Sequence, residues 1–475
     1  MKILLINLPR YKNSSVTREG RCELILNYRV DTPATLLIIA SQLREINQAI
    51  RFIDANGLNI NYKKISYILE VKNFDCVIFT FNSQIIDYEL EICDIIKKNN
   101  PSCKLIGYSW YARTYVKEIL NEYKNLDILI YEDPFSVVTR LIKTLQENND
   151  LNNVDGIAFR DSKNQIIITS KLKSLEKFED IPIPAYDLLK NLNPYYIYTP
   201  FIRPYALIYA GKGCPFKCKY CNVANTRYSG RSAKSIIEEL KILKRYHKVK
   251  YVWFYDEIFT LNRRRTLELC ENLIKEKLKI KWFCDSRVDI IDLNLLQIMK
   301  KAGCIGIAFG VESGSQDILN SMNKGITVTQ AKNALKWARK AHIPIQLNII
   351  LGYLNENEKT IEETRNFIRS TNPEFLQITK MNFFENTEFS EIALKRKWIS
   401  KETNWKLNLT KQKMKVLNYK PFELNLFKES KILKKLLYSN PIWWFISLKT
   451  LIYNHYLLFP IIGTLFRRFS NKNIV

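Results

Sequence analysis

Three cysteines, separated by three and two residues, stand in the segment Cys214-Pro-Phe-Lys-Cys218-Lys-Tyr-Cys221. Thiolates so spaced suit a metal centre. A structural zinc ion closes on four ligands, but the nearest histidine is His247 and the next cysteine is Cys270, neither at a customary offset. Iron–sulfur cubanes are also held by thiolates, normally four. Three close thiolates without a fourth neighbour would leave one iron open to bind a further molecule, so the chemistry expected here is that of a reactive 4Fe-4S centre. Zinc and incidental surface thiols are the other readings.

The elements that must position this loop follow a second alternation of apolar runs and helical patterns. Its candidate strands are Ala206–Ala210, Tyr251–Tyr255, Ile280–Asp285, Ile305–Gly310, Ile345–Leu351 and Phe375–Thr379, with helices such as Lys234–Tyr246 and Thr266–Lys277 between them. Six strand–helix units predict a partial TIM-type barrel, with its chemistry at the strand carboxyl ends. The three cysteines follow the first of those strands directly. An earlier alternation, with strands at Ile3–Asn7, Ile50–Asp54, Cys76–Phe81, Lys104–Gly107 and Asp127–Tyr131, predicts a doubly wound, Rossmann-like parallel sheet. Its ligand loops would lie around Pro9, Asn56, Asn82, Gly107 and Glu132. No GxGxxG follows the first strand, so a dinucleotide fingerprint is lacking. The fold class is α/β, with a domain over 1–150, a hairpin and Pro-rich connection over 151–204, the barrel over 205–390 and a basic helical region over 391–475.

The 475 residues include 47% hydrophobic side chains, enough for several cores, and carry a net charge of +26. The last 81 residues hold 17 Lys and Arg against 3 acidic residues, so the charge is concentrated in an appendage. Ten unevenly spaced cysteines in so long a chain suit a reducing cytoplasm. Met1–Leu8 is apolar, but Pro9 and Arg10 end the run, which reads as a strand and not as a signal peptide. In the tail, Asn440–Ile446 with Trp443 and Trp444 and Leu457–Ile462 fall short of the roughly 20 apolar residues of a spanning helix. Two readings stand for it: a helical cap on the barrel, or peripheral contact with an anionic membrane surface.

The cysteine segment, with Tyr220 before its third thiol, resembles the signature of the radical SAM superfamily. The whole chain is similar to the branch of that family with an N-terminal cobalamin-binding domain. The resemblance implies that Cys214, Cys218 and Cys221 hold the cluster, and that its open iron chelates S-adenosylmethionine. Further segments extend it. Phe254-Tyr-Asp-Glu-Ile-Phe-Thr260 is similar to the loop that receives the methionine amine, on Asp256 or Glu257, although either acid could instead cap the next helix. Trp282–Asp289 would present Arg287 to the cofactor carboxylate, a surface ion pair being its ordinary alternative. Gly310-Val-Glu-Ser-Gly-Ser315 resembles the ribose-binding segment, with Glu312 accepting from hydroxyls and Gly310, Ser313 and Gly314 around it. Ile350–Glu356 retains Gly352 near the adenine but has Leu354 and Asn355 where the family more often shows Pro and Gly.

In the N-terminal domain the family's Gly-Gly is Gly107-Tyr108, and its Gly-Glu-Gly-Glu is Tyr131-Glu-Asp-Pro134. With no histidine before His247, cobalamin would be bound without a histidine ligand from this domain; the competing reading is a domain that keeps the fold and has lost the ligand. The resemblance implies an oxygen-sensitive cytoplasmic enzyme that reductively cleaves S-adenosylmethionine. It would use the radical for cobalamin-assisted methylation or rearrangement of a metabolite, natural product or lipid, with an electron donor such as flavodoxin or ferredoxin and without nucleic acid. The alternatives are a cobalamin-free oxidoreductase or cyclase, and a tRNA methylthiotransferase with a second cluster on Cys22, Cys76 and Cys103.

Overall fold

The computed structural model describes residues 1–438 apart from 21, 27–28, 71–72, 173–176, 198–201, 386, 401–404, 412–414 and 417–425. The Trp443–Phe445 segment, His455 and the Arg467-Arg468 pair therefore lie outside the described residues. Among the described residues no helix is long and apolar enough to cross a membrane. The chain divides into two compact units, one built from residues 1–205 with the helix Trp405–Lys411, the other from residue 206 to residue 400 with the helix Leu426–Tyr438.

The first unit is built on a seven-stranded sheet. Its strands are β1 (Lys2–Asn7), then, after a hairpin of β2 (Ser15–Glu19) and β3 (Cys22–Leu26), β4 (Ala49–Asp54), β5 (Cys76–Thr80), β6 (Lys104–Tyr108), β7 (Ile128–Ile130), β8 (Ile157–Arg160) and β9 (Ile166–Ile168). The order is β9-β8-β7-β6-β5-β1-β4. Strands β4, β1, β5, β6 and β7 pair in parallel, and the β8–β9 hairpin continues the edge in antiparallel fashion. Helices cover such a sheet on both faces, which is why β1 reads Lys-Ile-Leu-Leu-Ile-Asn with every residue after Lys2 buried.

The β2–β3 hairpin is not legible as apolar alternation, because its buried side chains are largely charged. Arg18 donates from Nε and Nη2 to the two carboxylate oxygens of Glu89, each at 2.6 Å, and also reaches Asn7 Oδ1 at 3.1 Å. Glu23 accepts from Ser83 N and Ser109 Oγ, both at 2.6 Å. Asp54, at the end of β4, accepts from Asn7 Nδ2 at 2.7 Å, from the Gly57 amide at 2.9 Å and from Tyr195 Oη. Burial pushes the Glu23 and Asp54 carboxyls up from their ordinary range while these donors pull them down.

The second unit is built on a six-stranded sheet whose strands lie in chain order: β10 (Tyr205–Ile208), β11 (Tyr251–Phe254), β12 (Lys281–Ser286), β13 (Cys304–Glu312), β14 (Ile345–Leu351) and β15 (Phe375–Lys380). Pairing is parallel from β11 to β15. Alternate residues Val252, Phe254, Trp282, Cys284, Ile307, Phe309, Leu347 and Ile349 are buried under the helices. The opposite face carries Trp253, Asp285, Gln346 and Asn348, where Trp253 Nε1 donates to Asp285 at 3.0 Å and Gln346 Nε2 donates to Asn348 Oδ1 at 3.0 Å. Connecting helices start on side-chain caps: Ser232 before Ala233–His247, and a reciprocal Thr327–Gln330 capping box before Val328–Lys340.

Candidate metal centre and cofactor site

The three-cysteine loop leaves the carboxyl end of β10 and is folded onto itself by its own backbone. Cys214 N donates to Thr226 Oγ1 at 2.9 Å, Thr226 N returns to Cys214 O at 2.9 Å, and Asn225 N donates to Phe216 O at 2.8 Å. Gly213, just before Cys214, has φ +94, and a Cβ there would stand 2.2 Å from Arg227 O, so the turn admits no side chain. Cys214 and Cys218 are buried, Cys221 is half-buried, and none of the three is in a disulfide. Among the described residues no three His, Cys, Asp or Glu side chains converge on a point that one metal ion could occupy. That arrangement bears on zinc; a cubane's thiolates bind separate irons and need no common point. Burial pushes the Cys218 thiol up, while Lys324 and then Arg287 pull it down.

Of the two acids after β11, Asp256 is committed to the fold. Its carboxylate accepts from Ala210 N at 2.8 Å and faces Arg265 Nη2 at 3.4 Å. Glu257, half-buried, accepts from Gly213 N at 3.0 Å, one residue before the first cysteine. Asp256 also has a pH signature. Burial pushes its carboxyl up to about 6 from an ordinary 3.8, against the pull of Arg265 and the Gly211 and Ala210 amides. The unfolded chain ionises first, so this group's contribution to stability is fully present below about pH 4 and is lost as pH rises through about 6. Two pKa units correspond to on the order of 3 kcal/mol. Asp256→Asn is expected to flatten that segment of the profile, read by urea unfolding between about pH 4 and pH 7; an unchanged slope would assign it elsewhere.

On the other side of the loop, Glu312 ends β13 with φ +77, a left-handed conformation uncommon for a non-glycine residue. The register against β14 shifts between Gly310 and Glu312. A bulge of this kind re-aims a side chain, and the strained backbone marks a position held by its surroundings. Gly310 makes room for it: a Cβ there would lie 2.6 Å from Glu312 Oε1. Ser313 is buried, with its Oγ 3.3 Å from Thr364 Oγ1 and accepting from Ser315 N at 3.1 Å, so it shapes the turn. Gly352, φ +88, donates its amide to Glu356, whose carboxyl burial pushes up to about 7. Tyr353 next to it meets Tyr220 edge-on with ring centroids 6.2 Å apart.

Arg287 is 4% exposed and heavily engaged. It donates to Asp289 at 2.9 and 3.0 Å and to Lys324 O at 2.8 Å, and its guanidinium lies 3.6 Å from the Phe216 ring centroid. It thereby ties β12 to the cysteine loop. Sequence reasoning missed the turn Met322–Lys324. Lys219 N donates to Met322 O at 3.0 Å, Asn323 Nδ2 to Lys217 O at 2.8 Å, and Lys324 Nζ to Glu312 Oε1 at 2.9 Å and Tyr220 Oη at 3.3 Å. The only local signal was Asn-Lys-Gly after a short helix, which reads as a helix end.

Cys76 and Cys103, candidates for a second cluster, are buried in the core of the first unit. Burial holds the Cys76 thiol well above its ordinary range and pushes Cys103 up to about 12. Neutral core thiols of this kind would have to be opened to solvent before binding metal. The side chain of Cys22 lies outside the described residues.

Known proteins give the same picture. The radical SAM superfamily matches residues 208–368. An uncharacterised methyltransferase of Pyrococcus horikoshii is 26% identical over 366 residues, covering 76% of this chain and 78% of its own. The anaerobic magnesium-protoporphyrin IX monomethyl ester cyclase of Rubrivivax gelatinosus is 27% identical over 79% of this chain and 66% of its own. Among solved structures, the cobalamin-dependent S-adenosylmethionine radical enzyme OxsB, with aqua-cobalamin and S-adenosylmethionine bound, superposes with a TM-score of 0.75. It does so at 17% identity over 96% of this chain and 72% of that one, a likeness of fold. The cysteine loop stands at the head of this six-stranded sheet, and the match, which runs from the end of β10 to the helix before β15, marks residues 208–368 as a radical SAM domain.

Proposed function

We propose that the chain reductively cleaves S-adenosylmethionine and uses the resulting radical chemistry for methylation or cyclisation at unactivated carbon of a small molecule. The observation that supports this reading is the joining of the cysteine loop to Glu312 through Tyr220 and Lys324. When bound, a 4Fe-4S cluster would supply the electron that breaks the sulfonium bond.

The chain's own residues do the rest. Cys214, Cys218 and Cys221 hold the metal as thiolates, and Phe216 under Arg287 fixes their loop. Glu257 is the better-placed acceptor for an amine, since Asp256 spends its oxygens on Ala210 and Arg265. Glu312 keeps acceptor capacity for vicinal hydroxyls, and Gly310 and Gly352 allow the backbone to approach a nucleoside. The face of β12 to β15 bearing Asp285, Gln346, Asn348 and Gln377 suits a substrate with hydrogen-bonding groups, with Gln346 bonding Gln377 at 3.0 Å.

Cobalamin is the methyl carrier that the domain order favours. The strand ends of the first unit are crowded, however: Arg18 donates to Asn7 and Glu89, Asn7 donates to Asp54, Glu23 accepts from Ser83 and Ser109, and Tyr108 is buried. A flavodoxin or ferredoxin as electron donor, a cytoplasmic location and peripheral membrane contact through the basic tail belong to the same reading.

The test is anaerobic reconstitution, iron and cobalt analysis, and an assay for 5′-deoxyadenosine. Iron with cofactor cleavage supports the reading, and a loaded cluster that never cleaves the cofactor overturns it. Stoichiometric cobalt favours methylation, and its absence despite added cobalamin favours the cyclase or oxidoreductase branch.

A further inference from the structure

Lys324 is a buried cation with a fixed address. It is 7% exposed, and its ammonium lies 2.9 Å from Glu312 Oε1 and 3.3 Å from Tyr220 Oη, the residue before Cys221. The turn that delivers it is held from several sides. Asn323 and Gly325 flank it in left-handed conformations, φ +52 and +69. Lys219 N and Asn323 Nδ2 stitch the turn to the cysteine loop at 3.0 and 2.8 Å, and Arg287 grips Lys324 O at 2.8 Å. Burying an ammonium is costly, and a chain that builds such a cradle places the charge reproducibly. Arg287 is the other cation near Cys218, but its charge is already matched by bidentate Asp289.

We propose that Lys324 is a positioning residue that sets the reduction potential of the iron–sulfur centre: held between Glu312 and Tyr220 on the cysteine loop, its ammonium favours the state carrying the added electron. The inference rests on the cluster reading above. One-electron reduction adds negative charge to a centre that already bears three thiolates. A nearby cation with little solvent screening stabilises the reduced form more than the oxidised one. Glu312 opposes part of that field, so the two side chains act on the potential with opposite signs. The electron itself comes from an external one-electron donor, dithionite in the experiment below.

Anaerobic redox titration followed by EPR of the reduced cluster tests this on the full-length reconstituted chain and on Lys324→Met, Lys324→Arg, Glu312→Gln and the Lys324→Met/Glu312→Gln double variant. Lys324→Met is expected to lower the reduction equilibrium about tenfold, a fall of about 59 mV for a one-electron couple. Lys324→Arg is expected to restore it, Glu312→Gln to shift it upward, and the double variant to return toward the parent value. An unmoved midpoint in an iron-loaded Lys324→Met chain overturns the proposal, as do downward shifts in both single variants, the mark of a loosened loop. If Lys324→Met fails to hold iron, the upward shift of Glu312→Gln carries the test, and its absence overturns the proposal. A parent chain that takes up no reducible cluster fails the cluster reading itself, which iron analysis of the parent reads independently.

Discussion

An anaerobically reconstituted Cys218→Ala chain is expected to lose reductive cleavage of S-adenosylmethionine by more than about 100-fold, because even outer partners of metal ligands cost 10- to 100-fold when removed. Cys218 is the central thiol of the loop and the one on which Lys324 and Arg287 act. Its backbone carbonyl also accepts from Cys221 N at 3.2 Å, so the loop closes around it. Ala keeps that backbone bond and removes only the ligand. The variant should therefore fold with an unchanged circular dichroism spectrum, take up less iron and form no 5′-deoxyadenosine. Cleavage at the parent rate would show that the ligand set is wrong.

The second large effect is on stability. Arg18→Leu is expected to destabilise the first unit by about 3–5 kcal/mol, the range found when one partner of a buried ion pair is removed. Both side chains are essentially inaccessible, at 1% and 0% exposure, and Glu89 also accepts from Asn82 N at 3.0 Å. The remaining carboxylate would then face an apolar neighbour in place of the Arg18 guanidinium. Replacing both Arg18 and Glu89 by Leu should recover much of the loss, since a well-packed apolar pair is often as stable as a buried ionic one. Urea unfolding of the three chains measures this. A double variant no more stable than the single one would locate the cost in packing and not in the orphaned charge.

The parallel strands of both sheets were legible because each is a short, nearly continuous apolar run with turn residues at its ends. Val252, Phe254 and Leu347 announce their strands by period-two burial. The cysteine loop was legible because ligand spacing is local. The β2–β3 hairpin was not, since Arg18, Glu19 and Glu23 look like surface residues until their partners, some of them dozens of positions away, are in place. Lys324 was hidden for the same reason: it is 12 residues from Glu312 but 104 from Tyr220. Glu312 was chosen by resemblance, yet its left-handed backbone and the bulge that turns it inward follow from the pairing of β13 with β14 and no residue type alone signals them. The two acids Asp256 and Glu257 look equivalent in sequence, and only the amides and the arginine that each meets separate them.

The helix Trp405–Lys411 belongs to the first unit although the barrel's strands precede it in the chain. Trp405 packs its ring 5.9 Å from that of Tyr115, and Lys406 pairs with Asp87 at 2.7 Å and with Glu122. On a ribosome this is a matter of timing. At roughly 5–20 residues per second, the 200 or so residues between the end of the N-terminal segment and this helix take about 10–40 s to emerge. Throughout that interval Tyr115 lacks the Trp405 ring, and Asp87 and Glu122 lack the Lys406 ammonium. The first unit is thus begun before the barrel and finished after the barrel's strands, so a nascent chain halted within the barrel would present an incomplete first unit to chaperones.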